Sequence, residues 1–260
     1  MKEWISFCAS IKTSIRSSIA LRESFFLQSL FMLISNIVFF SFWWIYFSNF
    51  SSIKGWTLDD MACLYGIVTA AYGLFSVFFG GCRYLARIIF EGHLDALLVK
   101  PKNILLQIMS SKSVSSGWGD IVSSLFFFTN CNFLHLPEFG LIILFTITAC
   151  MVITSFSIIM GSLAFWVDDC HMISKQIFEF LLTFSNYPKS IYIGTIKFLL
   201  LTVIPSGFIG FLPIETIRNF SVPGLLAIVA FTIFYLAIAV FIFYKSLKRY
   251  TSGNKLGFKI

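Results

Sequence analysis

The chain has 260 residues, of which 58% are hydrophobic and 12% charged, and its mean hydropathy is +0.88. So little charge cannot keep a soluble domain of this size dispersed, which excludes an ordinary globular protein in water. The net charge of +7 does not point to nucleic acid, because the basic residues sit in short loops beside apolar stretches, where they set membrane orientation.

Residues 1–22 read as an amphipathic helix. Trp4, Phe7, Ile11, Ile15 and Ile19 recur at three- and four-residue steps, while Lys12 and Arg16 lie elsewhere on the wheel. Such a helix rests in the headgroup layer, apolar face down and basic side chains reaching outward. Span 1 follows, about Phe25–Phe47; at ~1.5 Å per residue it is long enough for a hydrocarbon core of ~30 Å. It ends in Trp43, Trp44, Tyr46 and Phe47, an aromatic belt at an interface. A polar loop, Ser48 to Asp60, leads to span 2, about Met61–Gly81. The longest charged stretch, Cys82 to Lys112, comes next. Span 3 covers about Val114–Leu134, and the turn His135-Leu136-Pro137-Glu138 enters span 4, about Phe139–Trp166, closed by Asp168-Asp169.

Beyond Asp169 two segments compete for span 5. Met172–Tyr187 is apolar but contains Lys175, Gln176 and Glu179. Ile191–Leu212 is more apolar but is broken by Pro205 and bracketed by Pro188 and Pro213. The prolines make the second a poor straight span, and the first is preferred, with the second as short helices dipping back into the membrane. Span 6, about Val222–Tyr244, is clear, and no internal repeat divides residues 1–260. The expected fold is all-α: a polytopic membrane domain of six spans. Fifteen of the 19 Lys and Arg fall in 1–22, 82–113, the span 4–5 region and the tail from Lys245; only Lys54, Lys189, Lys197 and Arg218 lie opposite. The positive-inside rule then puts both termini and the 82–112 segment in the cytoplasm.

Motifs for chemistry are absent. There is no phosphate-binding GxxxxGK[ST] loop, no HExxH and no GxSxG. His93, His135 and His171 fall in separate loops or span ends, and Cys8, Cys63, Cys82, Cys131, Cys150 and Cys170 show neither CxxC nor metal-like spacing. No catalytic residue, metal or cofactor is expected on this chain.

The cytoplasmic segment is more telling. Arg83, Arg87, Glu91 and Asp95 stand four apart, which on a helix makes one charged ridge with Arg87 and Glu91 paired. Leu85, Ile88 and Ile89 form an apolar side, Gly92 bends the helix, and Leu94, Leu97 and Leu98 resume that side before Lys100-Pro101-Lys102 stops it. A short, two-faced helix pair of this kind suits a groove on a partner. Within the spans, Asp120 follows Gly117-Trp118-Gly119, and Lys175 and Glu179 are four apart and able to neutralise each other; intramembrane charges usually face a protein interior.

Three patterns resemble one family. Gly55-Trp56-Thr57-Leu58-Asp59-Asp60-Met61 is similar to its GW-x-x-x-E/D-M element, and the run Ile89 to Pro101 resembles its I-x-x-G-x-LD-x-x-L-x-[RK]-P motif. Phe184 to Tyr192, with Val203-Ile204-Pro205 and Phe211-Leu212-Pro213, follows its YP-x-x-IY … IP … P pattern. These are features of the ABC-2 type permeases, the membrane subunits of ATP-binding-cassette exporters. Leu21-Arg22-Glu23 departs from the family, which often has an aromatic before the arginine. The resemblance implies that 82–103 is the coupling region contacting an ATPase, through Arg83, Arg87, Glu91, Gly92, Leu94, Asp95, Lys100 and Pro101, and that 188–216 is re-entrant on the outer side. It also implies a second permease chain, a separate ATPase subunit holding ATP and Mg, and the cytoplasmic (inner) membrane of a bacterium, among lipids and with no nucleic acid. The alternatives are a secondary transporter or channel needing no ATPase, and a membrane scaffold with no flux.

Overall fold

The computed structural model describes residues 2–131, 136–167, 169–192 and 194–251, and all its regular structure there is helical. The expected turn at His135 and the Asp168 half of the acidic pair lie outside the described residues. Helix α1 (Lys2–Ala20) runs into α2 (Arg22–Asn49) through a bend at Leu21, whose φ of −90° and ψ of 73° leave the helical region. Phe7, Ile11 and Ile15 form the inward side of α1, Phe7 stacking on Phe79 at 6.4 Å. Trp4 and Ile19 stay exposed.

Helix α3 (Leu58–Phe78) begins at a built corner. Lys54 and Gly55 carry φ of 45° and 84°, Trp56 is buried, and Thr57 caps the helix. The Thr57 amide donates to Asp60 Oδ2 at 2.8 Å while the Asp60 amide donates to Thr57 Oγ1 at 3.4 Å, a reciprocal capping box. Arg218 reaches the same corner, 3.4 Å from Asp60 Oδ1 and donating to the Gly55 carbonyl at 2.8 Å. The Gly-Trp…Asp-Met run is thus the chain's way of starting its most buried helix.

A 3-10 turn (Gly80–Tyr84) leads to α4 (Leu85–Phe90), α5 (Leu94–Leu98) and α6 (Ile104–Met109), and then to α7 (Ser116–Thr129). Helix α8 (Leu136–Ser162) continues as a 3-10 turn to Phe165, and α9 (His171–Ser185) follows. Three short helices, α10 (Thr195–Thr202), α11 (Ser206–Ile209) and α12 (Phe211–Arg218), precede α13 (Val222–Leu247). The 191–212 segment is therefore no single helix. It breaks around Pro205, whose ring removes an amide donor.

Four helices are long and apolar enough to cross a membrane: Arg22–Asn49, Leu58–Phe78, Glu138–Phe165 and Val222–Leu247. The apolar windows of the second and third are 83% and 72% buried, those of the first and last 11% and 17%. So α3 and α8 make the core, while α2 and α13 turn most of their apolar surface outward. Helices α7 and α9, with 14 and 15 residues, are each about 21–23 Å long. Both run between the same two ends as the long ones. The Val114 amide donates to the Ser76 carbonyl at 3.0 Å, tying the start of α7 to the end of α3. Ser174 at the start of α9 donates to the Met160 carbonyl of α8 at 2.9 Å, and Tyr187 beyond its end lies 6.0 Å from Trp43 on α2.

Small residues let these helices approach. A Cβ at Gly73 would lie 2.8 Å from Ile121 and 2.9 Å from the Gly117 carbonyl, and one at Gly119 would collide with the Ser29 carbonyl. Helix α7 is thus wedged between α3 and α2 by glycines on two of its sides, the packing expected where lipid removes the hydrophobic drive between helices.

Candidate functional site

At one end of the bundle lies the segment singled out for coupling. Arg87 Nε donates to Glu91 Oε1 at 2.6 Å, and His93 Nδ1 lies 3.2 Å from Glu91 Oε2. The Arg87 guanidinium holds the Glu91 carboxyl below its ordinary value. Between Glu91 and His93, Gly92 has a φ of +73°, in a region that costs an L-residue roughly 1–2 kcal/mol. The turn folds α5 back so that Leu94 joins Leu85 and Ile89 in the buried core. Gly161 of α8 sits against Leu85, where a Cβ would lie 2.7 Å from the leucine Cβ.

The outer side of the segment is different in kind. Leu98 is 45% and Val99 85% exposed, followed by exposed Lys100, Pro101 and Lys102. The last helix braces this tip. Tyr244 donates to Asn103 Oδ1 at 3.0 Å, and Asn103 in turn caps α6. Tyr250 lies beside Asp95, and burial together with that carboxylate pushes its phenol up to about 12.

Three expectations need correction. Arg83, Arg87, Glu91 and Asp95 do not share a ridge, because the tighter 3-10 turn at 80–84 and the reversal at Gly92 break the helical phase. Leu98 belongs to the exposed tip and not to the packed apolar side. Arg83 instead points into the bundle, where it pairs with Glu179 and donates to Tyr72. Glu179 is therefore neutralised from another helix and not by Lys175, which is exposed and borders a small crevice beside Cys82 and Ser174. The planar guanidinium satisfies two acceptors at once, which an ammonium on a flexible stem does less well.

Arg83 and Glu179 mark the inner end of a cleft of about 480 Å³ between α2, α3, α7 and α9. Asp120 lines it and is only 1% exposed. Asn36 of α2 donates both amide hydrogens into α7, to Asp120 Oδ1 and to Ser123 Oγ, each at 2.8 Å. Among the described residues Asp120 Oδ2 has no hydrogen-bond partner. Tyr65, Tyr72 and Tyr187 supply aromatic walls, and Trp43 Nε1 donates to the Tyr65 hydroxyl at 3.0 Å. Asp120 and Glu179, expected as intramembrane polar groups, thus share one cleft; Lys175 does not join them. Asn36 and Tyr72 escaped the sequence reading, although an amide inside the apolar run of span 1 was the available signal.

No curated protein matches the chain, and no solved structure does. The family profile described as ABC-2 family transporter protein matches residues 31–254, which takes in the corner at Gly55, the coupling segment, the cleft and the last helix. The chain belongs to the ABC-2 transporter family, as an integral membrane permease of the type that works with an ATP-binding-cassette ATPase.

Proposed function

We propose that this chain is the permease half of an exporter driven by ATP hydrolysed on a separate subunit. In this reading it spans a bacterial cytoplasmic membrane six times, both termini inside, and pairs with a second permease chain. The ATPase docks on the coupling region, 82–103. The observation that carries the reading is the two-sidedness of that region: Leu85, Ile89 and Leu94 are locked in the core, while Leu98 to Lys102 project as an apolar and basic tip.

Such a tip acts as a lever. A push on it passes through Leu85 to Gly161 on α8, and through the Arg83–Glu179 pair to α9. Rocking of those two helices alters the cleft they border, which is the movement alternating access needs. Six spans are supported by α7 and α9, which run between the same ends as the four long helices. The broken 188–216 stretch supports re-entry on the outer side: Phe198, Leu199 and Val203 of the α10 region are exposed apolar residues, as a lipid-facing hairpin would have. Lys54 donates to the Ser190 carbonyl at 3.3 Å and Lys189 pairs with Glu215 at 2.7 Å. Those two lysines and Arg218 so gather on one side, opposite the coupling tip, in keeping with positive-inside. The Phe-, Ile- and Leu-rich helices favour a lipophilic or amphipathic cargo.

The test is capture of a Walker-motif ATPase encoded beside this chain. Val99→Asp places a charge on the exposed tip without touching the core, and is expected to weaken capture at least about tenfold with insertion and thermal stability unchanged. Full capture by that variant, or ATP-independent flux through the chain alone in liposomes, would sink the reading.

A further inference from the structure

The cleft carries an unbalanced charge that the lever does not use. Two carboxylates, Asp120 and Glu179, line it, and among the described residues lining it Arg83 is the one base. That base is already committed: its guanidinium holds Glu179 and the Tyr72 hydroxyl. Asp120 keeps one oxygen engaged by Asn36, and the other, Oδ2, is buried without a partner. Leaving a carboxylate oxygen in that state costs the full desolvation of the group, so a bound species that supplies a donor or a positive charge recovers it. The neighbouring walls fit the same chemistry. Tyr65, Tyr72 and Tyr187 border the cleft, and aromatic faces attract organic cations.

We infer that the cleft selects a cargo bearing a protonated amine on a lipophilic body, with Asp120 as its counter-ion and the tyrosines as its cage. The volume of about 480 Å³ accommodates a drug-sized or single-tailed amphiphile. Asn36 acts as a positioning residue: its two hydrogen bonds to α7 fix Asp120 in the wall of the cleft, with Oδ2 just beneath the surface until a cargo draws on it. Arg83, pinned on Glu179 and Tyr72, is not spent on Asp120, which stays available to a cationic cargo.

This inference deepens the permease reading, and its test reads binding alone, with no ATP or flux. The purified chain in lipid nanodiscs is titrated with dodecylamine, with dodecanol and with dodecyl sulfate, following quenching of the tryptophan fluorescence. The amine is expected to bind at least about tenfold more tightly than the alcohol of equal length, and the sulfate more weakly than either. Asp120→Asn, which keeps an oxygen for Asn36, is expected to erase the preference for amine over alcohol. Equal binding of amine and alcohol by the unaltered chain overturns the assignment without any variant being needed. So does an Asp120→Asn variant that folds and keeps the preference. A chain that captures its ATPase yet shows no amine preference overturns the cargo class and leaves the permease standing; loss of capture by the unaltered chain strikes the permease reading itself.

Discussion

Helix α2 turns most of its apolar surface outward, its window being 11% buried, and besides Phe40 on Phe127 at 4.9 Å and the close approach at Gly119 it holds α7 by the polar atoms of Asn36. Asn36→Leu removes those polar atoms while keeping the branching and the heavy-atom count. Two hydrogen bonds vanish, each worth about 0.6 kcal/mol between membrane helices, and Asp120 is left with neither oxygen paired, an orphaning that costs about 1–3 kcal/mol. The expected loss is about 2–4 kcal/mol, read from reversible unfolding in mixed detergent–SDS micelles by helical circular dichroism. Removing the acceptor as well tests the logic. With Asp120→Leu added, no carboxyl remains to be orphaned, and the double variant is expected to be more stable than Asn36→Leu alone. A single variant within about 0.5 kcal/mol of the parent, or a double variant less stable than the single, would refute the account of how α2 is held.

The other expectations concern the two ends of the bundle. Gly92→Ala forces a side chain into the positive-φ turn and is expected to cost about 1–2 kcal/mol locally, seen as faster proteolysis of the coupling tip and weaker ATPase capture; Gly92→Asn, which tolerates that region, lies between. Asp60→Ala strips the capping box and the Arg218 pairing together and is expected to lower stability by roughly 2 kcal/mol, measured as a shift in the unfolding midpoint, with Asp60→Asn recovering part. Glu91 has a depressed carboxyl value, so its pairing with Arg87 at the entry to the Gly92 turn is complete above the ordinary carboxylate value and is lost as pH falls through the lower folded one. A spin label at Ala96→Cys should therefore keep its mobility from neutral pH down to the ordinary carboxylate range and loosen only below it. Loosening well above the ordinary carboxylate range would refute the role given to Glu91.

Much of the coupling segment was legible because local chemistry decides it. Glycine in the middle of a charged, two-faced run announces a reversal, and Arg87 and Glu91, one turn apart, meet whatever surrounds them. The phase of that run was not legible. Reading Arg83 onto the same ridge assumed one continuous helix, while the chain there takes a 3-10 turn whose glycines, Gly80 and Gly81, are pressed against the Lys112 and Ile108 carbonyls. Lys175 and Glu179 failed for a related reason: spacing of four makes a pair available, but a guanidinium arriving from another element competes and wins.

Composition and periodicity by themselves determined that lipid is the solvent of this chain, where its long apolar helices lie, and that 191–212 cannot be one straight helix. These follow from transfer free energy and from proline's missing donor, which act residue by residue. Only the tertiary structure decided that Asn36, Arg83, Asp120 and Glu179, scattered over more than 140 positions, border a common cleft, and that among the described residues one carboxylate oxygen there is left without a partner. Pairing between helices depends on which faces the glycines of α3 and α7 bring together, and that choice is made by packing in three dimensions, which no one-dimensional pattern records.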